Sequence, residues 1–567
     1  MKNRYFILCL LLATIILPLS SQNANNEPIR ERIYMQTDKQ LYMTGELIWM
    51  KLFTTSPDGL PQTFSKIAYV ELWDEEASQI QAKTELTNGV GNGWMITPLN
   101  LPTGHYRLVA YTRNMRNEST NVFFEKNIGI INPLILDQSA ERSGSNISSV
   151  FSSSTKDDNL SLSTDKRTYS KREKVNLKID QFPDDIHTLS VSVVGDDFVN
   201  IVGGTELKQW KNQLQSKKSE SFSGNFLPEY EGHIVEGKLI NVATGKQEHN
   251  ELIKPYLTFR SPHIALFPGK IDDKGNVTFF TNHTAGIKEI VSSPLPISLN
   301  IDNIYRIDID YPFVEKMEVG KLPTLDISNI NKDYLMQRNV ALQVLYSYTN
   351  DSINQFAPTR SYFNWEPDHT YVMDEYTRFA TMQEVITEFV VYTRFRKIND
   401  KRFLSIYDIN TNTFSSGLTF VFLDGVPIFD HEIIYNYDPT LLKRIDVYKD
   451  SFAFGSQMVN GIVFFTTHKG DYAGLKLDES TQFFDYEGAK PYRAFHSPAY
   501  TTEEERQSRL PDFRHTLLWN PDVQTEGETS VSIPFYTSDL TGKFQIIIEG
   551  LTKTGEIIYA TSDIEVR

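Results

Sequence analysis

The sequence predicts a mainly β protein, a tandem series of β-sandwiches plus one small α+β domain, and three observations carry that expectation. Short runs rich in Val, Ile, Thr, Tyr and Phe alternate with Gly, Asn, Asp and Pro turn residues through most of the chain, which is the spacing of strands. A segment of the first third is repeated. Thr37-Asp38-Lys39-Gln40-Leu41-Tyr42 recurs as Thr164-Asp165-Lys166-Arg167-Thr168-Tyr169, and Glu46 and Lys51 return at the same offset as Glu173 and Lys178. The best helix candidate is Asp374–Val390, where Phe379, Met382, Val385, Ile386 and Phe389 fall at helical spacing.

The first residues address the compartment. Lys2 and Arg4 precede an apolar run, Tyr5–Leu19, that ends in Ser20, Ser21 and Gln22, the pattern of a secretory signal peptide over residues 1–21. The run is shorter than the roughly 20 apolar residues that span a bilayer, so cleavage is expected rather than anchoring. The single cysteine, Cys9, lies inside the run and not at its close, which argues against a lipid anchor. A mature chain without cysteine would have no disulfide and no thiol chemistry. The 567 residues suggest three to five domains at about 100–200 residues each. The net charge of −16, or −18 once Lys2 and Arg4 are removed, excludes nucleic acid as the expected partner, since a phosphate backbone calls for a basic stripe. No later apolar run approaches spanning length, so no transmembrane span is expected in the mature chain. The expected location is the periplasm or the outer membrane's periphery, with the cell surface as alternative.

The elements follow in order. Ile33-Tyr34-Met35-Gln36-Thr37-Asp38-Lys39, then Tyr42, Gly45, Glu46 and the strand to Phe53, resemble the start of a macroglobulin domain of the second kind, the β-sandwich module of α2-macroglobulins. Leu101-Pro102-Thr103-Gly104-His105-Tyr106-Arg107 resembles that module's later hairpin. The resemblance implies a sandwich over residues 29–138. The repeat implies a second macroglobulin-like domain, with an insertion, over 158–227, where Lys171-Arg172 stand in place of the usual Pro-Gly. Between them, Ser143–Ser154 is dominated by Ser and Asn, a flexible linker placed at 143–156. Tyr230–Gly245 and the Asp272–Asn276 turn before Val277-Thr278-Phe279-Phe280 resemble a carboxypeptidase-regulatory or macroglobulin-like sandwich, assigned to 228–320. Residues 321–372 are left as a connecting segment.

A second resemblance lies beyond. Phe420-Val421-Phe422-Leu423-Asp424-Gly425-Val426-Pro427-Ile428, Leu442-Lys443-Arg444-Ile445-Asp446-Val447-Tyr448-Lys449, Phe454-Gly455 and Asn460–Thr467 resemble the plug domain of TonB-dependent receptors. This implies a plug-like domain at 373–475, without a barrel of its own. Asp424-Gly425 between apolar runs is by itself a tight-turn signal. The last segment, 480–567, with the hairpin-like Ser538–Phe544 and strand patterns at Gln545–Glu549 and Ile557–Tyr559, is expected to be one more sandwich. Together the two resemblances imply a Gram-negative bacterium of the Bacteroidota type.

Chemistry has little foothold. The histidines stand singly, and no nucleophile elbow or phosphate-binding Gly-rich loop is placed where it would work. Asp430-His431-Glu432 is the nearest cluster of candidate ligands, with a solvated loop as the ordinary reading. Asp272-Asp273 and Asp424 read as turn residues, and Asp38/Lys39 with Asp165/Lys166 as a repeated structural turn rather than a binding edge. Tyr492, Phe495 and Tyr500 beside Pro491 and Pro498 are either a binding strip or the anchor of an extended segment. No catalytic, cofactor-binding or metal residue is assigned, and without cysteine the thioester trap of macroglobulin inhibitors is excluded. The expectation is a non-catalytic exported envelope scaffold that docks to an outer-membrane transport or assembly partner through its plug-like domain. The alternatives are a surface protein binding glycans or peptides and, third, a non-covalent macroglobulin-like protease inhibitor.

Overall fold

Why the repeat exists is visible in its hydrogen bonds. In the computed structural model, the Tyr42 hydroxyl donates to Asp38 at 2.8 Å, and the Tyr169 hydroxyl to Asp165 at 2.8 Å. The same aspartate oxygen accepts a strand amide eleven residues on, Trp49 N–H at 3.2 Å and Asn176 N–H at 2.9 Å. Thr37 and Thr164 close the turn onto the carbonyls of Lys39 and Lys166, both at 2.7 Å. Each copy thus satisfies a turn's backbone with its own side chains. The structure describes residues 28–133, 160–196, 201, 206–214, 221–260, 264–282, 284–297, 303–327, 330, 332–348, 365–398, 400–408, 412–477, 479–525 and 528–567. The expected signal peptide and the 143–156 linker lie outside them.

The first sandwich is built from β1 (Arg32–Thr37), β2 (Leu41–Met43), β3 (Leu47–Thr55), β4 (Ile67–Trp73), β5 (Ser78–Glu85), β6 (Val90–Ile96), β7 (Gly104–Thr112) and β8 (Phe124–Ile131). Its sheets run β1-β3-β6 and β2-β8-β7-β4-β5, with β2 parallel to β8. The second sandwich starts with β9 (Ser161–Thr164), β10 (Thr168–Tyr169), β11 (Lys174–Asp180) and β12 (Ile186–Gly195). Its remaining strands come from the end of the described chain: β29 (Thr516–Asn520), β30 (Ser530–Tyr536), β31 (Gly542–Thr552) and β32 (Ile557–Val566).

The sheets of the second sandwich run β9-β11-β30 and β10-β32-β31-β12-β29, again with the short second strand parallel to the last. Strand for strand this is the first sandwich. The domain expected at 158–227 and the separate sandwich expected at 480–567 are therefore halves of one sandwich with one apolar core, in which Val175, Leu177 and Val191 meet Phe535, Ile546 and Ile564. Neither half can bury its apolar face alone. The Ser538–Phe544 segment is not a hairpin, because β30 pairs with β11 and β31 with β12, so the chain crosses between sheets there.

All the intervening chain is inserted where the first sandwich has its tight β4–β5 turn. Its root is closed by the Gly195 amide donating to the His515 carbonyl at 2.9 Å. A Cβ at Gly195 would meet the His515 ring at 3.0 Å, so a larger residue there would have to push that buried ring aside by a few tenths of an ångström.

The insertion opens with the helix Leu207–Leu214, whose Trp210 packs on Tyr34 and Phe53. A third sandwich follows: β13 (Ile234–Asn241), β14 (Lys246–Gln247), β15 (Ile253–Arg260), β16 (Ala265–Ile271), β17 (Asn276–Phe280), β18 (Glu289–Pro296) and β19 (Tyr305–Ile309). Next comes an α+β module of β20 (His369–Val372), β21 (Thr393–Ile398), β22 (Lys401–Asp408), β23 (Thr413–Phe414), β24 (Phe420–Leu423), β25 (Val426–Pro427), β26 (Leu442–Phe454) and β27 (Gln457–Thr467). The chain then returns β28 (Gln482–Asp485) to the edge of the third sandwich beside β18. That sandwich therefore reaches beyond the expected 228–320. The connecting segment 321–372 contains a helix, Lys332–Tyr348.

The helix expected over Asp374–Val390 is shorter, Met382–Glu388. A Thr381–Glu384 capping box starts it, and a separate 3-10 turn occupies Met373–Glu375. The cap offers a local start at residue 381, so the apolar spacing upstream belongs to the turn and to extended chain.

The two copies of the turn differ in surroundings. Asp38 is buried and also accepts from Thr516 of the second sandwich at 2.8 Å, while Asp165 is exposed. Asp38→Ala is expected to lower the unfolding free energy by about 3 kcal/mol, since it strands buried donors, and Asp165→Ala by about 1 kcal/mol or less. Urea denaturation of the two variants checks this, and equal losses would contradict the assigned environments.

Candidate functional site

The residues singled out in the sequence do not assemble into a reactive centre. His431 is fully buried and accepts the Leu404 amide on Nδ1 at 2.9 Å, and burial lowers its pKa to about 4. Asp430 caps the following helical turn, and Glu432 reaches Arg402 at 3.1 Å. The three side chains diverge, and among the described residues no group of His, Cys, Asp or Glu could hold a metal ion. Asp424, at φ 47°, ties its turn to the amides of Thr467 and Tyr472, each at 2.8 Å. Asp272 accepts from Lys274 and Asn276. Of the aromatic strip, Phe495 packs on Trp49 and Tyr500 is buried against Asp512 at 2.7 Å, so both anchor the segment. Tyr492 is 53% exposed.

The α+β module offers the most self-contained surface. In its central sheet, β20-β26-β27-β24-β25, β24 and the middle of β27 are buried on both faces, as continuous apolar runs require. Val421, Leu423, Val447 and Val463 pack toward the module's helices, while Phe420, Phe422, Ile462 and Phe464 pack on Tyr256, Leu266 and Leu295 of the third sandwich. Each large apolar side chain so buried contributes about 1.5–3 kcal/mol. That layer outweighs the partly exposed Arg260–Glu289 pair at its rim, of a kind that contributes about 0–1 kcal/mol. At the β26–β27 hairpin, Trp365 stacks on Phe452 with ring centroids 4.6 Å apart, and Met458 is 57% exposed.

The junctions between sandwiches hold ionisable groups that sequence reading missed. Lys51 on β3 donates to the carbonyls of Leu189, at 3.2 Å, and Pro521 of the second sandwich, and burial lowers its pKa to about 7. Lys83 on β5 donates to the Glu487 carbonyl at 2.8 Å and lies 4.0 Å from the Tyr486 ring centroid. Its pKa also falls to about 7, by burial. Beside it, Glu229 accepts from Tyr69 at 3.0 Å and sits 2.7 Å from His233 Nδ1, while His233 Nε2 meets the Tyr486 hydroxyl. Burial lowers His233 to about 4, with Lys83 adding to it. Glu229 and His233 stand four residues apart, but Tyr69, Lys83 and Tyr486 come from distant parts of the chain, and no local pattern links the five. The network is closed to solvent and ties the first sandwich to the third.

No family model matches the chain, and comparison with curated proteins finds no match. Among solved structures, a point mutant of Salmonella alpha-2-macroglobulin aligns at 9% identity over 97% of this chain and 41% of that one, with a TM-score of 0.24. Escherichia coli alpha-2-macroglobulin activated by porcine elastase aligns at 9% identity over 95% and 44%, again at 0.24. The Escherichia coli adhesin FdeC aligns at 10% identity over 48% and 63%, at 0.15. The chain spans less than half the length of those macroglobulins. At these scores the class of protein, a mainly β chain of tandem sandwiches with one α+β module, is defined by its own sheet topology. Among the described residues no helix is long and apolar enough to cross a membrane.

The junction lysines carry a pH signature. Free lysine titrates near 10.5, and these two near 7 in the folded chain. Between those values the unfolded state binds more protons, so stability rises as pH goes from 7 toward 10.5, and below 7 the burial penalty applies in full. A Lys51→Met/Lys83→Met variant is expected to flatten that rise, read from urea midpoints between pH 7 and 10. An unchanged slope would place the lysines elsewhere.

Proposed function

We propose that this chain is a non-catalytic exported scaffold of the cell envelope, and that its α+β module, residues 373–475, is plug-like and docks an outer-membrane transport or assembly partner. The observation that supports this reading is how the module is held. One sheet face is fastened to the third sandwich by the Phe420/Phe422/Tyr256 layer, and the β26–β27 hairpin leaves Met458 and, packed beside the strand, Trp365 exposed at 57% and 43%. Large apolar side chains presented on a rigid hairpin are the usual anchors of a protein interface. The sandwiches serve as the frame, since Glu31–Arg567 forms one compact unit.

The test is recovery of the tagged protein from crosslinked, detergent-solubilised envelopes of its host, compared with a Trp365→Asp/Met458→Asp variant and a 373–475 deletion. The expected result is an outer-membrane barrel protein enriched by the intact chain and reduced about tenfold by the double variant, the scale of losing interface anchors. Thermal melting verifies that the variant remains folded. Absence of any barrel protein, or equal enrichment by all three chains, would sink the docking reading.

A further inference from the structure

A cleft of about 1300 Å³ opens between the first two sandwiches. The β5–β6 turn supplies one wall, the loop entering β12 another, and the extended segment after β28 its third side. Its volume exceeds the roughly 300–1,000 Å³ of a small-molecule pocket, which points to an oligomeric ligand.

Three features show a site prepared for hydrogen bonding. Asn92 Oδ1, His187 Nε2 and Thr188 Oγ1 all belong to residues lining the cleft, are buried, and have no hydrogen-bond partner. Thr188 is only 5% exposed. An unpaired buried polar atom is a standing cost of about 1–3 kcal/mol, relieved when the side chain turns that atom toward a hydroxyl seated in the cleft. Gln181, on the rim, is held in the left-handed region at φ 65°, a strain of the kind that concentrates at ligand-binding positions, whereas the φ of 52° at Asn88 is what the Asn88-Gly89 hairpin turn requires. Tyr492, on the cleft's rim, is presented by a fixed segment: Trp94 Nε1 donates to the Pro491 carbonyl at 2.9 Å, and the Lys490 amide to the Lys83 carbonyl at 2.7 Å.

Charge narrows the ligand. The lining carries the carboxylates Glu85, Asp184, Asp522 and Glu528 against Lys490 and Lys553, which disfavours an anion. Burial and the nearby Lys51 and Lys553 keep His187 neutral, so its ring offers one donor and one acceptor. Amides, a neutral imidazole and a hydroxyl, each both giving and taking hydrogen bonds or placed beside one that does, match hydroxyl groups. An exposed ring matches the C–H face of a pyranose.

We infer that this cleft binds a neutral oligosaccharide, with Tyr492 as its stacking platform and Asn92, His187 and Thr188 as its hydrogen-bonding floor. The site shares no residue with the α+β module, so its failure and the failure of the docking reading are separable.

The purified full chain would be titrated calorimetrically with neutral hexasaccharides, namely gluco-, manno- and xylo-oligomers of α and β linkage, and in parallel with a Lys-rich hexapeptide. The expected result is saturable binding of at least one hexasaccharide, weakened about tenfold by Tyr492→Ala and by Asn92→Ala and retained by Tyr492→Phe, as a lost stacking or hydrogen-bonding contact of about 1.4 kcal/mol requires. Binding of the peptide alone, no binding of any sugar, or sugar binding indifferent to both alanine variants overturns the inference. Tyr492 is exposed, so its variants leave folding intact.

Discussion

The second sandwich, and with it all the described chain inserted into it, hangs on β12 pairing with β31 on one side and β29 on the other, across an insertion that separates Gly195 from His515. Val191, Ser192 and Val193 lie opposite Asn520, Trp519 and Leu518 along β29, while Ile546–Ile548 complete the other ladder. Before those pairs form, β9–β12 have half a core and nothing to cover it. Loop-closure entropy grows only logarithmically with length, and a folded insertion whose ends emerge side by side adds little to it. The third sandwich and the α+β module can thus be carried in what is, in the first sandwich, a tight turn.

The sandwiches are joined by polar contacts as much as by apolar ones. Along β12, Leu189, Val191 and Val193 enter the core of the second sandwich. The alternate face gives Ser190 to Gln36 and the Glu549 carbonyl, and Ser192 to the Asp38 carbonyl at 2.7 Å. Tyr34 donates to Glu549 at 2.9 Å. An apolar face tolerates sliding, whereas buried hydroxyls and ions must each meet their partner, so such a junction admits one register. Arg172 shows the same logic in the second copy of the repeat. It stands where the first copy has Gly45, at φ 55° against 89°. Its left-handed backbone is held by a guanidinium clamped on Asp539 and on the carbonyls of Ser508 and Leu510.

Much of the secondary structure was legible because its causes are local. The Asp-Lys-x-x-Tyr turn satisfies itself within eleven residues, the Asp424-Gly425 turn joins β24 to β25, and Asp272 closes the β16–β17 hairpin. Leu47–Phe53 and Phe420–Leu423 read as strands from their apolar content, and the strands observed there, Leu47–Thr55 and Phe420–Leu423, are buried on two faces. The helix was overextended because periodicity ignores the cap at Thr381. The recurrence of Thr103-Gly104-x-Tyr106 as Thr541-Gly542-x-Phe544 was the one available signal that the final strands complete the second sandwich.

The sequence by itself determined the class, a chain of β-sandwiches with one α+β module, through strand periodicity, turn chemistry and the tandem repeat, since each acts within a few residues. Tertiary structure alone decided that the second sandwich is split, that Lys51, Lys83 and His233 are buried, and that a polar cleft opens between the sandwiches. Those facts depend on surfaces meeting across hundreds of residues. An alternating strand such as β12 looks the same in sequence whether its hydroxyl face meets water or a neighbouring domain.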